Sequence, residues 1–149
     1  MLRALIRRFK RATKSAKARA VALRTGFRRA APRTHRDDLQ FVAHLSEAHA
    51  RLNAERFRDA LKPVSIRISR RMVRRLGHYA PGAHGSGPEI AVSARHIRRD
   101  GEARVLETLL HEMVHQWQHE QGLPIDHGSD FRRICLAVGA TPRAALPSA

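Results

Sequence analysis

The chain has 149 residues, 42% of them hydrophobic, a net charge of +16 and a single cysteine, Cys135. That length suits one modest domain with a small core, and one cysteine excludes both an internal disulfide and a Cys-pair zinc ribbon. No apolar run approaches a membrane span, and the N-terminus lacks the apolar centre of a secretory signal. The expectation is a soluble, intracellular protein, cytoplasmic or nucleoid-associated.

Charge is unevenly spread. Residues 1–36 hold thirteen Lys and Arg and no acid, whereas the remaining 113 residues balance to +3. The chain is therefore divided into a basic, flexible N-terminal arm, residues 1–36, and a domain, residues 37–149. The arm has good helix propensity, but like charges keep it frayed unless a polyanion neutralises them. Three readings stand for it. As a nucleic-acid tether it engages phosphates without sequence preference and with steep salt dependence. As an organelle transit peptide it has suitable Arg and Ala content, although Ser15 is its only serine. The third reading is a solvated tail, and the tether is preferred.

After the arm, Asp37 or Asp38 can cap a helix that carries Phe41, Val42, Leu45 and Leu52 at helical spacing, with Asn53 restarting it through Phe57 and Leu61. Pro63 ends that run. Val64, Ile66 and Ile68 alternate with Ser65, Arg67 and Ser69, the period of a half-buried strand. The segment Arg70 to Tyr79 can continue into a second strand, the Gly/Pro-rich stretch Pro81 to Pro88 is a loop, and Glu89–Ser93 reads as a short strand followed by a connection through Asp100-Gly101. From Glu102 to Glu120, Leu106, Leu109, Leu110, Met113, Val114 and Trp117 recur at three and four residues, which predicts a long helix stopped by Gly122 and Pro124. A last helix spans Ser129 to Val138 with Phe131, Ile134, Cys135 and Val138 on one face. Helices, short strands and helices again predict an α+β domain with a small, mostly antiparallel sheet packed on helices.

The long helix contains His111-Glu112-Met113-Val114-His115. With ten His and seven Glu in the chain, roughly 0.03 such H-E-x-x-H matches are expected by chance. Histidines four apart share a helix face one turn up, so both imidazoles can reach one metal ion. Glu112 sits on the rim of that face, where a carboxylate can take a proton from water activated by the metal and return it to a leaving amine. The bland alternative is a pair of surface histidines with a solvated glutamate, but the flanking Met113, Val114 and Trp117 place the motif beside a core.

Two histidines and a water leave one ligand to find. His119 continues the row, but eight residues of helix put it about 12 Å from His111, too far for one ion. The break at Gly122-Leu123-Pro124 turns the chain back and presents His127, with Asp130 and Asp126 as competitors. A metzincin signature would need Gly at 118 and His at 121, where this chain has Gln118 and Gln121.

HEMVHQWQ, a short break and then HGSDF resembles the SprT-like family, whose core pattern is HExxH followed by H-G-x-x-F. The likeness extends upstream through Leu52-Asn53, Phe57, Leu61, Val64–Ser69, Leu76-Gly77 and Ile90–Ser93, and covers about residues 38–140. It implies a minimal zincin fold, one zinc ion on His111, His115 and His127, and Glu112 as catalytic base. Members of that family include Spartan-type proteases, which degrade proteins trapped on DNA. Many also carry a Cys-rich zinc ribbon or a DNA-binding tail after the catalytic domain, and neither follows here, so the basic arm would have to supply any nucleic-acid contact. The expected function is thus a zinc metallopeptidase acting on protein substrates, including DNA-bound ones. A non-catalytic nucleic-acid-binding protein with a structural zinc is the alternative. No oligomeric state can be read.

No role is assigned to His78, His84 and His96. Tyr79 is a candidate oxyanion helper or substrate contact if the segment 70–79 borders the metal. Ile90–Ser93 is a candidate edge strand that could pair with an extended substrate. Cys135 and Trp117 are expected to pack.

Overall fold

The computed structural model describes residues 35–82 and 86–143. The basic arm, apart from His35 and Arg36, lies outside the described residues, as does His84. A single 3-10 turn, Arg36–Asp38, leads into helix α1 (Leu39–Phe57), then strands β1 (Ser65–Ser69), β2 (Gly77–Ala80) and β3 (Glu89–Ser93), and helices α2 (Ala94–Asp100), α3 (Glu102–Glu120) and α4 (Ser129–Val138).

Asp38 occupies the N-cap position of α1, yet its carboxylate makes no capping bond. It instead accepts from Arg70 Nε at 2.8 Å and Nη2 at 3.2 Å, tying the start of α1 to the chain that leaves β1. The Arg70 guanidinium holds the Asp38 carboxyl below its usual range. Asn53 does not restart the helix, which runs unbroken to Phe57. Its side chain donates to Leu61 O and accepts from Leu61 N, at 2.9 and 3.1 Å, and so closes the turn beyond the helix. Leu61 is buried in that turn rather than on a helix. An Asn side chain competes with the helix backbone for hydrogen bonds, but here its own are satisfied beyond the helix end.

The sheet has the order β1-β3-β2. The α+β class holds, but the sheet is mixed rather than mostly antiparallel, because β1 pairs parallel to β3, with Ile66 beside Ile90 and Ile68 beside Val92. Strand β2 pairs antiparallel on the other side, with Tyr79 beside Ile90. This corrects the edge-strand expectation for Ile90–Ser93. Both edges of β3 are occupied, and Ile90, Ala91, Val92 and Ser93 are all buried, as a central strand requires. Among the described residues the outer edges of β1 and β2 have no strand partner.

Helix α2 replaces the plain connection read after β3. Its sequence, ARHIRRD, has too few apolar residues for a helical period, and tertiary bonds form it instead. The Ser93 hydroxyl accepts from His96 N at 3.4 Å and donates to Met72 O at 2.9 Å. Buried His96 links Asp100 Oδ2 at 2.6 Å to Thr108 Oγ1 at 2.9 Å, fastening α2 to α3. Gly101, at φ 78°, makes the corner between them, a conformation costly for a residue with a Cβ.

Helix α3 is the centre of the domain and lies against β2, β3, α1, α2 and α4. Leu109, Met113 and Val114 are fully buried with Ile90, Val92 and Phe131 in one core, each contributing about 1.5–3 kcal/mol by leaving water. Cys135 belongs to that core, and burial pushes its thiol up to about 11. Trp117 packs against the rim of the core, half-buried. No helix among the described residues is long and apolar enough to cross a membrane.

Candidate metal centre

The C-terminal end of α3 is closed by a tight turn. Gly122, at φ 68°, donates to His119 O at 3.0 Å, and Leu123 N donates to Gln118 O at 2.8 Å. The chain then folds back, and Asp126 Oδ1 accepts from Gly128 N at 2.9 Å. That small loop brings His127 over the helix face that carries His111 and His115.

The three rings converge through their Nε2 atoms. His127 Nε2 lies 3.1 Å from His111 Nε2 and 3.2 Å from His115 Nε2. Nitrogens bound tetrahedrally at zinc–nitrogen distances near 2.0–2.1 Å stand about 3.3 Å apart, so this spacing matches a shared ion. Among the described residues these histidines form the group able to hold a metal. Asp126 and Asp130 do not join it. Asp126 shapes the loop, and Asp130 pairs with Arg133 at 3.1 Å on α4.

The far nitrogens of the two helix histidines are occupied. His111 Nδ1 donates to Thr141 O at 3.0 Å, and His115 Nδ1 donates to Gln118 Oε1 at 2.9 Å. Each bond directs the proton to Nδ1 and leaves the Nε2 lone pair toward the cluster. Burial lowers the pKa of both, that of His115 to about 4, which favours the neutral ring that metal ligation requires. Gln118 is itself buried, and its amide lies 3.5 Å from Asp126 Oδ1, linking the His115 partner to the His127 loop. Phe131 underlies all three rings. It stacks on His115 at 4.5 Å and meets His111 and His127 edge-on at 4.9 and 4.7 Å.

Glu112 is not one of the converging ligands; it lines the same cavity and reaches β2. Its Oε2 accepts from Tyr79 N at 2.8 Å. Burial pushes its carboxyl up to about 7, against the pull of that hydrogen bond. Strand β2 approaches this closely because residue 77 is glycine. A Cβ there would stand 2.8 Å from Thr108 Cγ2 and 2.9 Å from Glu112 Oε1.

Hydrogen bonding alternates along an antiparallel ladder. Since Ser93 N donates to Leu76 O and Tyr79 N turns to Glu112, Gly77 and Tyr79 present their backbone groups at the free edge of β2. Between this edge and the histidines lies a cavity of about 400 Å³, walled by residues 74–79 on one side and by His111, Glu112, His115, Ile125 and His127 on the other.

The segment 70–79 thus borders the histidine cluster, but Tyr79 contributes its backbone. Its phenol is buried, 2.7 Å from His119 Nδ1, and burial raises it to about 12. An oxyanion role for that hydroxyl is not supported. His96 is a buried packing residue with both ring nitrogens engaged, and His78 lies on the exposed side of β2 near Arg75. Gly77 and Phe131 stand in the sequence as part of the family pattern and Gln118 only as a departure from the metzincin one, with none of them given a role in the site. A glycine inside a strand-forming stretch is the one signal that pointed to a close approach.

A model of the SprT-like family matches residues 45–148, a span that includes every residue of this cluster. No curated protein matches the chain.

Proposed function

The chain belongs to the SprT-like family, and from that premise we propose that it is a zinc-dependent endopeptidase acting on protein substrates. The family places a zincin-like, metallopeptidase-type domain in this chain. The observation that carries the finer reading is the convergence of three imidazole Nε2 atoms beside a buried carboxylate in an open cleft. In this reading His111, His115 and His127 hold one zinc ion, whose Lewis acidity activates water for attack at neutral pH.

Glu112 is the general base. From its buried position its carboxylate would take a proton from the attacking water and then return it to the leaving amine. The Tyr79 N–H fixes one carboxylate oxygen and leaves the other for that proton. The free edge of β2, through the Gly77 backbone, can pair with an extended substrate and hold its scissile peptide between strand and histidines. Residues 37–149 form the metallopeptidase domain. The arm of residues 1–36, with thirteen basic side chains and no acid, tethers it to nucleic acid, so that proteins bound to or crosslinked on DNA are its substrates, in the cytoplasm or at the nucleoid.

The test is metal analysis paired with a protease assay on an unfolded protein and on a DNA-bound protein, with and without DNA. Wild type should hold one zinc and cleave. Glu112→Gln should hold one zinc and lose about 10³-fold in rate, the scale of a general base. A protein that holds zinc yet cleaves nothing would support the structural-zinc alternative, and equal rates with and without DNA would remove the tether.

A further inference from the structure

Several arginines of the domain are held in ion pairs away from the cleft lining. Arg67 pairs with Glu89 at 2.9 Å, Arg70 with Asp38 at 2.8 Å, and Arg99 with Asp100 at 2.7 Å. Arg74 and Arg75 do not follow this pattern. Both are exposed and both line the cleft that holds the histidine cluster. Among the described residues Arg74 has no hydrogen-bond or ion-pair partner, and Arg75 meets only the ring of His78, at 3.5 Å. The sole acidic side chain in the cleft lining is buried Glu112, already held by Tyr79 N.

We propose that Arg74 and Arg75 make the cleft selective for acidic protein segments, by receiving Asp or Glu side chains of the substrate close to the bond being cut. This rests on the endopeptidase reading and names the substrate class of the same site. The two arginines immediately precede Leu76 and the free edge of β2. An extended chain paired along Gly77 and Tyr79 continues past Leu76 at about 3.3 Å per residue, so its side chains two or three positions from the one opposite Gly77 come level with Arg75 and Arg74. A guanidinium without a partner is a fork for a carboxylate. Phosphate would satisfy the same fork. A narrow cleft of about 400 Å³ flanked by an open strand edge fits an extended peptide better than a duplex.

Each matched charge at this exposed rim should be worth about three- to tenfold in kcat/KM, weakening as salt shortens the screening length. The experiment uses the zinc-loaded full chain and unstructured fluorogenic peptides that differ only in carrying Asp or Lys at the second and third residues on either side of the cleaved bond. Acidic peptides should be preferred by about tenfold or more at low salt, on one side of that bond. Arg74→Glu with Arg75→Glu should reverse the preference while zinc content stays at one per chain. The same peptides titrated against zinc-loaded Glu112→Gln protein read the preference as a ratio of dissociation constants. Preferential binding without any cleavage by wild type would keep this inference and sink the endopeptidase reading. Equal treatment of both peptides in binding and cleavage would overturn it. So would a charge reversal that leaves peptide preference intact but abolishes binding of a DNA duplex, which would assign the arginines to nucleic acid.

Discussion

Helix α3 and the segment 70–80 face each other across one cleft and supply it in opposite ways. The helix contributes side chains, with His111, Glu112 and His115 projecting from a backbone whose own hydrogen bonds are closed within the helix. The segment contributes backbone, with the N–H of Tyr79 on Glu112, the missing Cβ of Gly77, and an unpaired edge. Side-chain identity can be read from a sequence at a fixed spacing. Backbone groups are present at every residue, so which of them matter depends on where the chain lies.

The strongest way to test the helix side of this comparison is His127→Ala. Removing one of three converging nitrogens should drop bound zinc from one per chain to well under half after dialysis, measured by elemental analysis, and abolish any hydrolysis with it. Retention of full zinc would mean that Asp126 or Asp130 serves instead.

Gly77→Ala tests the strand side. The added methyl cannot sit 2.8–2.9 Å from Thr108 Cγ2 and Glu112 Oε1, so β2 must move away and loosen the Tyr79 N–H bond. Overpacking of this kind costs about 1–3 kcal/mol, and the displaced carboxylate should slow hydrolysis by roughly 10–100-fold. Zinc content should not change, because no histidine is touched. An unchanged rate would mean that the strand only walls the cleft.

A smaller effect should follow from Gln118→Leu, which deletes the acceptor for His115 Nδ1. Loss of such an outer partner should weaken zinc binding about tenfold or more in a chelator competition.

The smallest effect belongs to Asp38→Asn, at the root of the segment. Arg70 lowers the Asp38 pKa in the folded protein, so this carboxylate adds stability above its unfolded pKa, near 3.9, and loses it as pH falls through the lower folded value. The variant should melt roughly 2–5 °C lower at pH 7, and the gap should close in thermal scans taken below about pH 4.

The two regions were legible in the sequence to different degrees. Helix α3 appears with its expected bounds, Glu102–Glu120, and α4 with Ser129–Val138, because each carries an apolar stripe at helical period and a glycine at its end. Strand β1 was visible through its alternation. Strand β2 was blurred into a ten-residue segment, since four residues, GHYA, hold no period, and α2 was missed for the same lack of apolar pattern. In the site, spacing named His111 and His115, and the turn offered His127 beside Asp126 and Asp130; the structure brings the three histidines together, while Gln118 carried no sign of a role. His115 is one helical turn from Gln118, but the ring cluster above Phe131 is complete only after the loop 121–128 has folded back.

By itself, then, the sequence determined which side chains with metal-binding and acid–base chemistry share one helix face, and that the chain returns to that face through a glycine- and proline-marked turn. Local spacing and turn residues suffice for both. Only the tertiary structure decided that β3 lies at the centre of the sheet and β2 at its edge, that a glycine lets this edge reach Glu112, and that Arg74 and Arg75 line the cleft beside the cluster without an acidic partner among the described residues. These are relations between separate elements of the chain, and strand order and packing distance leave no period in it from which to read them.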